Sequence, residues 1–157
     1  MNEIVATHSI PASQVNRFRD RIEKLIQCCH TRTAYIAGRV AMNPAEVRSL
    51  MHFRDERYLT VKGLASKLDV AKSRVTKIIQ GLVDKGYLES TPDPRDARIK
   101  LLSLTPAGRI KSEEIQDLVM SIHERILLEL PSAELTTVLG SLDTLWTSME
   151  MVKKQME

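Results

Sequence analysis

At 157 residues, with 43% hydrophobic and 27% charged residues and a formal net charge of +3, the chain can bury a core as one compact domain or two small lobes. No stretch approaches the ~20 consecutive apolar residues of a membrane span, and the first dozen residues lack a basic segment leading into an apolar run. A membrane anchor and an export signal are therefore not expected, the expected location is cytoplasmic, and two adjacent cysteines, Cys28 and Cys29, exclude a disulfide framework.

Taken in chain order, the first expected element is a helix capped by Ser13, with Val15, Phe18, Ile22, Leu25, Ile26 and Cys29 on one apolar stripe. Asn43-Pro44-Ala45-Glu46 signals the next helix: Asn43 is the cap, Pro44 takes the first helical position, and Glu46 reaches back to the cap. Its buried side is expected to be Val47, Leu50 and Met51. Val61, Leu64, Ala65 and Leu68 recur at helical spacing and stop at a tight turn, Asp69-Val70. A second stripe follows, Val75, Ile78, Ile79 and Leu82, in a helix that Gly86 ends. The opposite face of that helix carries Lys72, Ser73, Arg74, Thr76, Lys77 and Gln80, donors and positive charge suited to a major groove.

Leu88-Glu89-Ser90 and Ile99 to Leu104 read as two strands around a loop from Thr91 to Arg98, whose two prolines and two aspartates favour a hairpin. Its arginines would ride on a protruding wing. Thr105-Pro106 opens a long helix with Ile115, Leu118, Val119, Ile122, Ile126 and Leu130 inward, which Pro131-Ser132 ends. A last helix carries Leu135, Val138, Leu139, Leu142, Leu145, Trp146, Met149 and Val152. The expected fold class is mainly α with a small β-wing (α+β): a winged helix-turn-helix core flanked by N- and C-terminal dimerisation helices. The expected divisions are residues 10–42, the first dimerisation helix and its connection; 43–104, the DNA-binding domain, with helices near 44–54, 61–68 and 72–86 and a wing near 88–104; and 105–157, the C-terminal helices.

Charge follows this plan. Residues 60–111 hold 11 Lys and Arg against 5 Asp and Glu, whereas residues 112–157 hold 3 against 9. A polyanion would be met by the middle of the chain, where counterions are released from phosphates. The ordinary alternative, that these lysines form a solvated face, fits the winged-helix order less well.

The segments LASKL, VTKIIQGLVDKGYL, DPRDAR and KLLSLTPAG, in that order and spacing, resemble the winged-helix core of the multiple antibiotic resistance regulator (MarR) family. The resemblance covers about a third of the chain closely and the flanking helices more loosely. It departs at Ala71, where the family often has a serine, and at Gly63, where it often has a glutamate. Losing an N-cap acceptor costs about 1 kcal/mol, so Asp69 or water is expected to cap the recognition helix. The resemblance implies a homodimer built from the terminal helices, with an arginine at the wing tip, Arg95, entering the minor groove. It also implies a repressor whose DNA binding responds to a small-molecule effector.

The residues support a dimer independently. Val15, Phe18 and Ile22 at one end and Leu139, Leu142 and Trp146 at the other form stripes more apolar than a fifty-residue winged helix can cover, and a twofold copy would bury them. The other reading is a monomer whose last two helices fold back on its own core. A twofold dimer reads an inverted repeat with half-sites about 10 base pairs apart. Arg74, Ser73 and Thr76 are expected to reach base edges, Lys72 and Lys77 phosphates, and Arg98 to serve either as a DNA contact or as a brace with Asp96.

Cys28-Cys29-His30 invites a sensor reading that helix geometry opposes. Consecutive side chains diverge by about 100°, and a disulfide between neighbours is strained. Cys29, on the stripe, is expected to be a small buried hydrophobe, leaving Cys28 as the likelier reactive thiol. His30, His52 and His123 fall on separate elements, and neither a metal nor a cofactor is implied. An effector pocket would draw on Tyr35, Ile36, Met51 and the inner face of the long helix. No GxSxG, GxxxxGK[ST] or HExxH motif is present, so an enzyme is not expected. The rival readings are a winged helix that binds a protein instead of DNA, which should show aromatic or Met anchors between residues 72 and 80, and a thiol- or metal-sensing variant of the same regulator.

Overall fold

The computed structural model describes residues 9–54 and 56–156, which divide into two compact units, one up to Ile115 and one from Gln116 onward. The expectation about an export signal rests largely on residues 1–8, outside the described residues. The elements, in order, are α1 (Ala12–Arg39), α2 (Pro44–Met51), β1 (Leu59–Thr60), α3 (Val61–Leu68), α4 (Lys72–Asp84), β2 (Leu88–Pro92), β3 (Lys100–Leu104), α5 (Pro106–Leu128) and α6 (Leu135–Met156). The three strands form one antiparallel sheet in the order β1-β3-β2, with Leu59 opposite Leu102 and Leu88 opposite Leu104. Mostly helix with a small three-stranded sheet, this is the expected winged-helix architecture.

The first unit is built around the apolar faces that helical spacing had marked. Val47 and Leu50 of α2, Leu64 and Leu68 of α3, and Val75, Ile78, Ile79 and Leu82 of α4 are buried together with Leu59, Leu88 and Leu102 of the sheet. Ile36 and Ala37 near the end of α1 and Ile115 in the first turns of α5 complete this core, where Ser112 Oγ donates to the Leu50 carbonyl at 3.3 Å.

Local chemistry fixes the helix ends. Asn43 and Glu46 form the expected capping box: Glu46 N donates to Asn43 Oδ1 at 2.9 Å and Asn43 N to Glu46 Oε2 at 3.0 Å. Thr60 caps α3 by accepting from Gly63 N at 2.9 Å. Gly86, at φ +71, ends α4 with Gly86 N on the Val83 carbonyl and Tyr87 N on that of Leu82, the paired bonds of a left-handed helix stop.

Several expectations change. The cap of α1 is Pro11, which has no side-chain acceptor, because the helix begins at Ala12, one residue ahead of Ser13. Asp69 does not cap α4. It takes the left-handed backbone that closes α3, φ 53 and ψ 52, and the N-cap of α4 is Ala71, with no side-chain bond. The strand pair also runs further than read, since β2 extends to Pro92, paired with Lys100. Proline is tolerated there because β2 is an edge strand bonded only to β3. Cys29 is exposed, as is Cys28, because the stripe it shares with Phe18 and Leu25 is uncovered in the single chain.

The junction of wing and α5 is tightly keyed. Thr105 N donates to the Tyr87 carbonyl at 3.1 Å, and Thr105 Oγ1 donates to the Gly86 carbonyl at 2.6 Å while accepting from Gly108 N at 3.0 Å. A Cβ on Gly108 would stand 1.9 Å from the Tyr87 oxygen, closer than any contact allows. Gly108→Ala should therefore destabilise the protein by about 3 kcal/mol, lowering the thermal midpoint by roughly 10 °C. A midpoint within a degree of wild type would show that this approach is not needed.

His52, the residue after α2, is held below its ordinary pKa of 6.5, first by burial and then by the charges of Lys67 and Arg48. Its protonated form is disfavoured in the fold, so the unfolded chain binds the proton more readily and stability falls as pH drops from 6.5. Denaturant titrations at pH 7.5 and 5.0 should show a smaller acid loss in His52→Gln than in wild type. Equal losses would contradict the assignment.

Candidate nucleic-acid interface

Burying Val75, Ile78, Ile79 and Leu82 leaves α4 only one face to show solvent. Lys72, Ser73, Arg74, Thr76, Lys77 and Gln80 are all exposed on it. Among the described residues, Lys72, Arg74 and Lys77 have no ion-pair partner, so three cations stand uncompensated within about one and a half turns. Thr76 Oγ1 donates back to the Lys72 carbonyl at 2.9 Å and Gln80 Nε2 to Asp84 Oδ1 at 2.7 Å, which fixes these two side chains along the helix. The missing cap at Ala71 leaves first-turn N–H groups at the end of the helix where Lys72 and Arg74 stand.

The wing is ordered by its aspartates. Asp93 Oδ1 accepts from Arg95 N at 2.7 Å and Asp96 Oδ1 from Arg98 N at 3.0 Å, side-chain turns that hold the loop without a long strand pair. Asp93 N donates to the Ile99 carbonyl at 2.8 Å and closes the loop. The two arginines differ in use. Arg98 Nε and Nη2 donate to Asp96 Oδ1 and Oδ2 at 2.9 and 3.0 Å, a brace within the loop that leaves 90% of the Arg98 side chain exposed. The Arg95 guanidinium is exposed and unpaired among the described residues. Of the sequence-expected cations, Arg95 and the α4 set are thus available, and Arg98 is already engaged.

The terminal helices carry the other expected residues. Phe18 is 51% exposed and Trp146 66%; Val15, Leu139 and Leu142 are exposed, and Ile22 is half-buried. No residue of α6 is buried, and of the α5 residues expected inward only Ile115 is fully buried. Tyr35 is exposed and Ile36 is part of the core, whereas a separate cavity is lined by Phe53, Arg54, Glu56, Arg57, Leu104 and Arg109. Among the described residues no group of three His, Cys, Asp or Glu side chains is close enough to hold a metal, and no helix is long and apolar enough to cross a membrane.

Sequence reasoning missed β1, the Lys85–Glu46 ion pair and the bond from Arg48 to the Leu68 carbonyl. A two-residue strand has no alternation to detect. The other two join residues 39 and 20 positions apart, for which a single sequence carries no signal.

A cationic helix face beside an arginine-tipped hairpin defines the chain as a winged helix-turn-helix protein. Residues 42–99 match the MarR family. The chain is 36% identical over 80 residues to the transcriptional regulator AdcR of Streptococcus pneumoniae, a match covering 51% of this chain and 54% of that protein. It is 30% identical over 95 residues to the multiple antibiotic resistance protein MarR of Escherichia coli, covering 60% of this chain and 66% of that one. The aligned region thus spans about half of AdcR and somewhat more of MarR. The fold is that of wild-type Escherichia coli MarR in its apo form, with a TM-score of 0.72 at 24% identity over 88% of this chain and 98% of that one. A mutant of the same protein complexed with operator DNA gives a TM-score of 0.69 at 23% identity, over 87% and 99%.

The Arg98 grip holds the Asp96 carboxyl below its ordinary value of 3.8. The brace is therefore complete at neutral pH, persists below pH 3.8, and is lost only as pH falls through the depressed value. An NMR titration should find the Asp96 carboxyl midpoint below 3.8 and returning toward it in Arg98→Ala; a wild-type midpoint at or above 3.8 would remove the brace.

Proposed function

We propose that this protein is a sequence-specific, double-stranded DNA-binding transcriptional regulator acting in the cytoplasm, a homodimeric repressor of an inverted-repeat operator whose affinity is set by a small-molecule effector. The carrying observation is the uncompensated cationic face of α4 together with an exposed Arg95 guanidinium, unpaired among the described residues, on the hairpin loop that follows β2. AdcR is named a transcriptional regulator and a mutant of Escherichia coli MarR was crystallised with operator DNA, which supports the same reading. In this account Arg74, Ser73 and Thr76 face base edges, Lys72 and Lys77 bind phosphates, Arg95 enters the minor groove, and Arg98 steadies the loop that carries it. The polar face of residues 72–80 holds no aromatic or Met anchor, which disfavours a protein-binding winged helix. With no catalytic motif in the chain, we read it as a binding protein.

The uncovered stripes support the dimer. A helix such as α6, with Leu139, Leu142, Trp146, Met149 and Val152 exposed along 22 residues, is apolar surface of the kind that a second copy covers in symmetric oligomers. Residues 10–42 and 105–157 are the dimerisation parts and 43–104 the reading part. For the effector, the supporting feature is the open cavity lined by Phe53, Arg54, Glu56, Arg57, Leu104 and Arg109, where three arginines outnumber one carboxylate beside two apolar side chains, a lining that suits a small anion.

Selection of bound duplex from a random pool should return an inverted repeat. On that duplex Arg95→Ala should weaken binding and lower the salt slope by about one, with helicity and dimerisation unchanged. Arg74→Ala should cost roughly 1–3 kcal/mol at one base pair and relax the preference there. Equal loss on selected and random duplexes would reassign Arg74 to the backbone, and recovery of no consensus would overturn the reading.

A further inference from the structure

We propose that α2 acts as a splint along α4, and that Arg48 is a positioning residue for duplex recognition; the functional half of this inference rests on the DNA-binding reading above. Two side chains of α2, two residues apart, tie to the segments that flank α4, Lys85 just after its end and Leu68 just before the turn that leads into it. At the far end Glu46, 3% exposed, accepts from Lys85 Nζ at 2.6 Å, immediately after the last residue of α4. The same carboxylate fills the space over Gly81, where a Cβ would stand 3.0 Å from Oε1. At the near end Arg48 Nη2 donates to the carbonyl of Leu68, the last residue of α3, at 3.2 Å.

That second tie falls where α4 is least defined by its own residues. The turn between α3 and α4 uses its own amides on the carbonyls of Ser66 and Ala65, through Asp69 N and Val70 N. The Leu68 carbonyl is the acceptor left for a neighbour, at a helix C-terminus where partial negative charge favours a cation. Asp69 sits in a left-handed conformation and Ala71 offers no cap, so the start of α4 depends on a short turn under backbone strain. Arg48 restrains that turn from outside. It also lines, with Ala45, Val70 and Ile78, the groove that Arg74 shares, so a change at Arg48 is felt beside the side chain placed to read bases.

Small movements suffice. A 13-residue helix is about 20 Å long, so a tilt of about 5° about the Lys85 end shifts its start by about 1.7 Å, beyond the tolerance of a bidentate base contact. Phosphate contacts by lysine, a flexible point charge, survive such a shift. Loosening this tie should therefore erode sequence preference more than it erodes general affinity.

Arg48→Met keeps the stem and removes the donor. Binding is measured to the duplex selected by wild type and to a scrambled duplex of equal length, across a salt series, together with amide exchange of Asp69 to Arg74 in the free protein. The expected result is faster exchange in the turn, a three- to tenfold loss (about 0.7–1.4 kcal/mol) on the selected duplex, little change on the scrambled one, an unchanged salt slope, and partial restoration by Arg48→Lys. Equal loss on both duplexes with the slope reduced by about one would make Arg48 a phosphate contact and overturn the proposal. Unchanged exchange would overturn it as well. A wild type that does not distinguish the two duplexes would instead sink the DNA-binding reading, leaving the exchange data to decide the splint by themselves.

Discussion

A helix that must bury Val75, Ile78, Ile79 and Leu82 has no freedom over what it shows the solvent. Burial of four such side chains is worth roughly 6–12 kcal/mol of transfer free energy, against which the repulsion among Lys72, Arg74 and Lys77 at the surface is small. The core therefore sets the rotation of α4 about its axis, and the cationic face follows. Rotating α4 by a third of a turn would place a guanidinium among leucines, a cost the fold cannot absorb.

Position along and across the fold is set by different groups. Glu46 at one end and Arg48 at the other draw on α2, whose own start is closed by the Asn43–Glu46 box. The wing is registered through Thr105 and Gly108, which press the start of α5 against the Gly86-Tyr87 turn. The end of α4, the start of the hairpin and the first turn of α5 are thereby one bonded cluster. The parts that would touch DNA carry few internal bonds beyond the aspartate turns of the loop, as expected of surfaces that exchange partners.

Much of this was legible in the residues. Helical spacing located α3, α4, α5 and α6, the Asn-Pro-Ala-Glu signature gave α2 its box, and Gly86 marked the stop of α4 because a left-handed backbone is needed there. Two prolines and two aspartates announced the hairpin, although its strands ran to Pro92, since an edge position forgives a missing N–H. The cap of α1 was misread at Ser13, where a helix can start at several neighbouring residues for little energy. Cys29 was placed inside because a stripe says which residues share a face and nothing about what covers that face. The pairings of Glu46 with Lys85 and of Arg48 with Leu68 join distant positions, and no local pattern encodes them.

In the function proposed above, the uncovered stripes of the terminal helices would hold two copies together and so set two cationic α4 faces along one duplex. Hydroxyl-radical footprinting on the selected duplex, with mass determination of the complex, tests this most directly. The account predicts two protomers per duplex and two protected patches about 10 base pairs apart, related by a twofold axis. One protomer on a single patch, or uniform protection without a register, would contradict it.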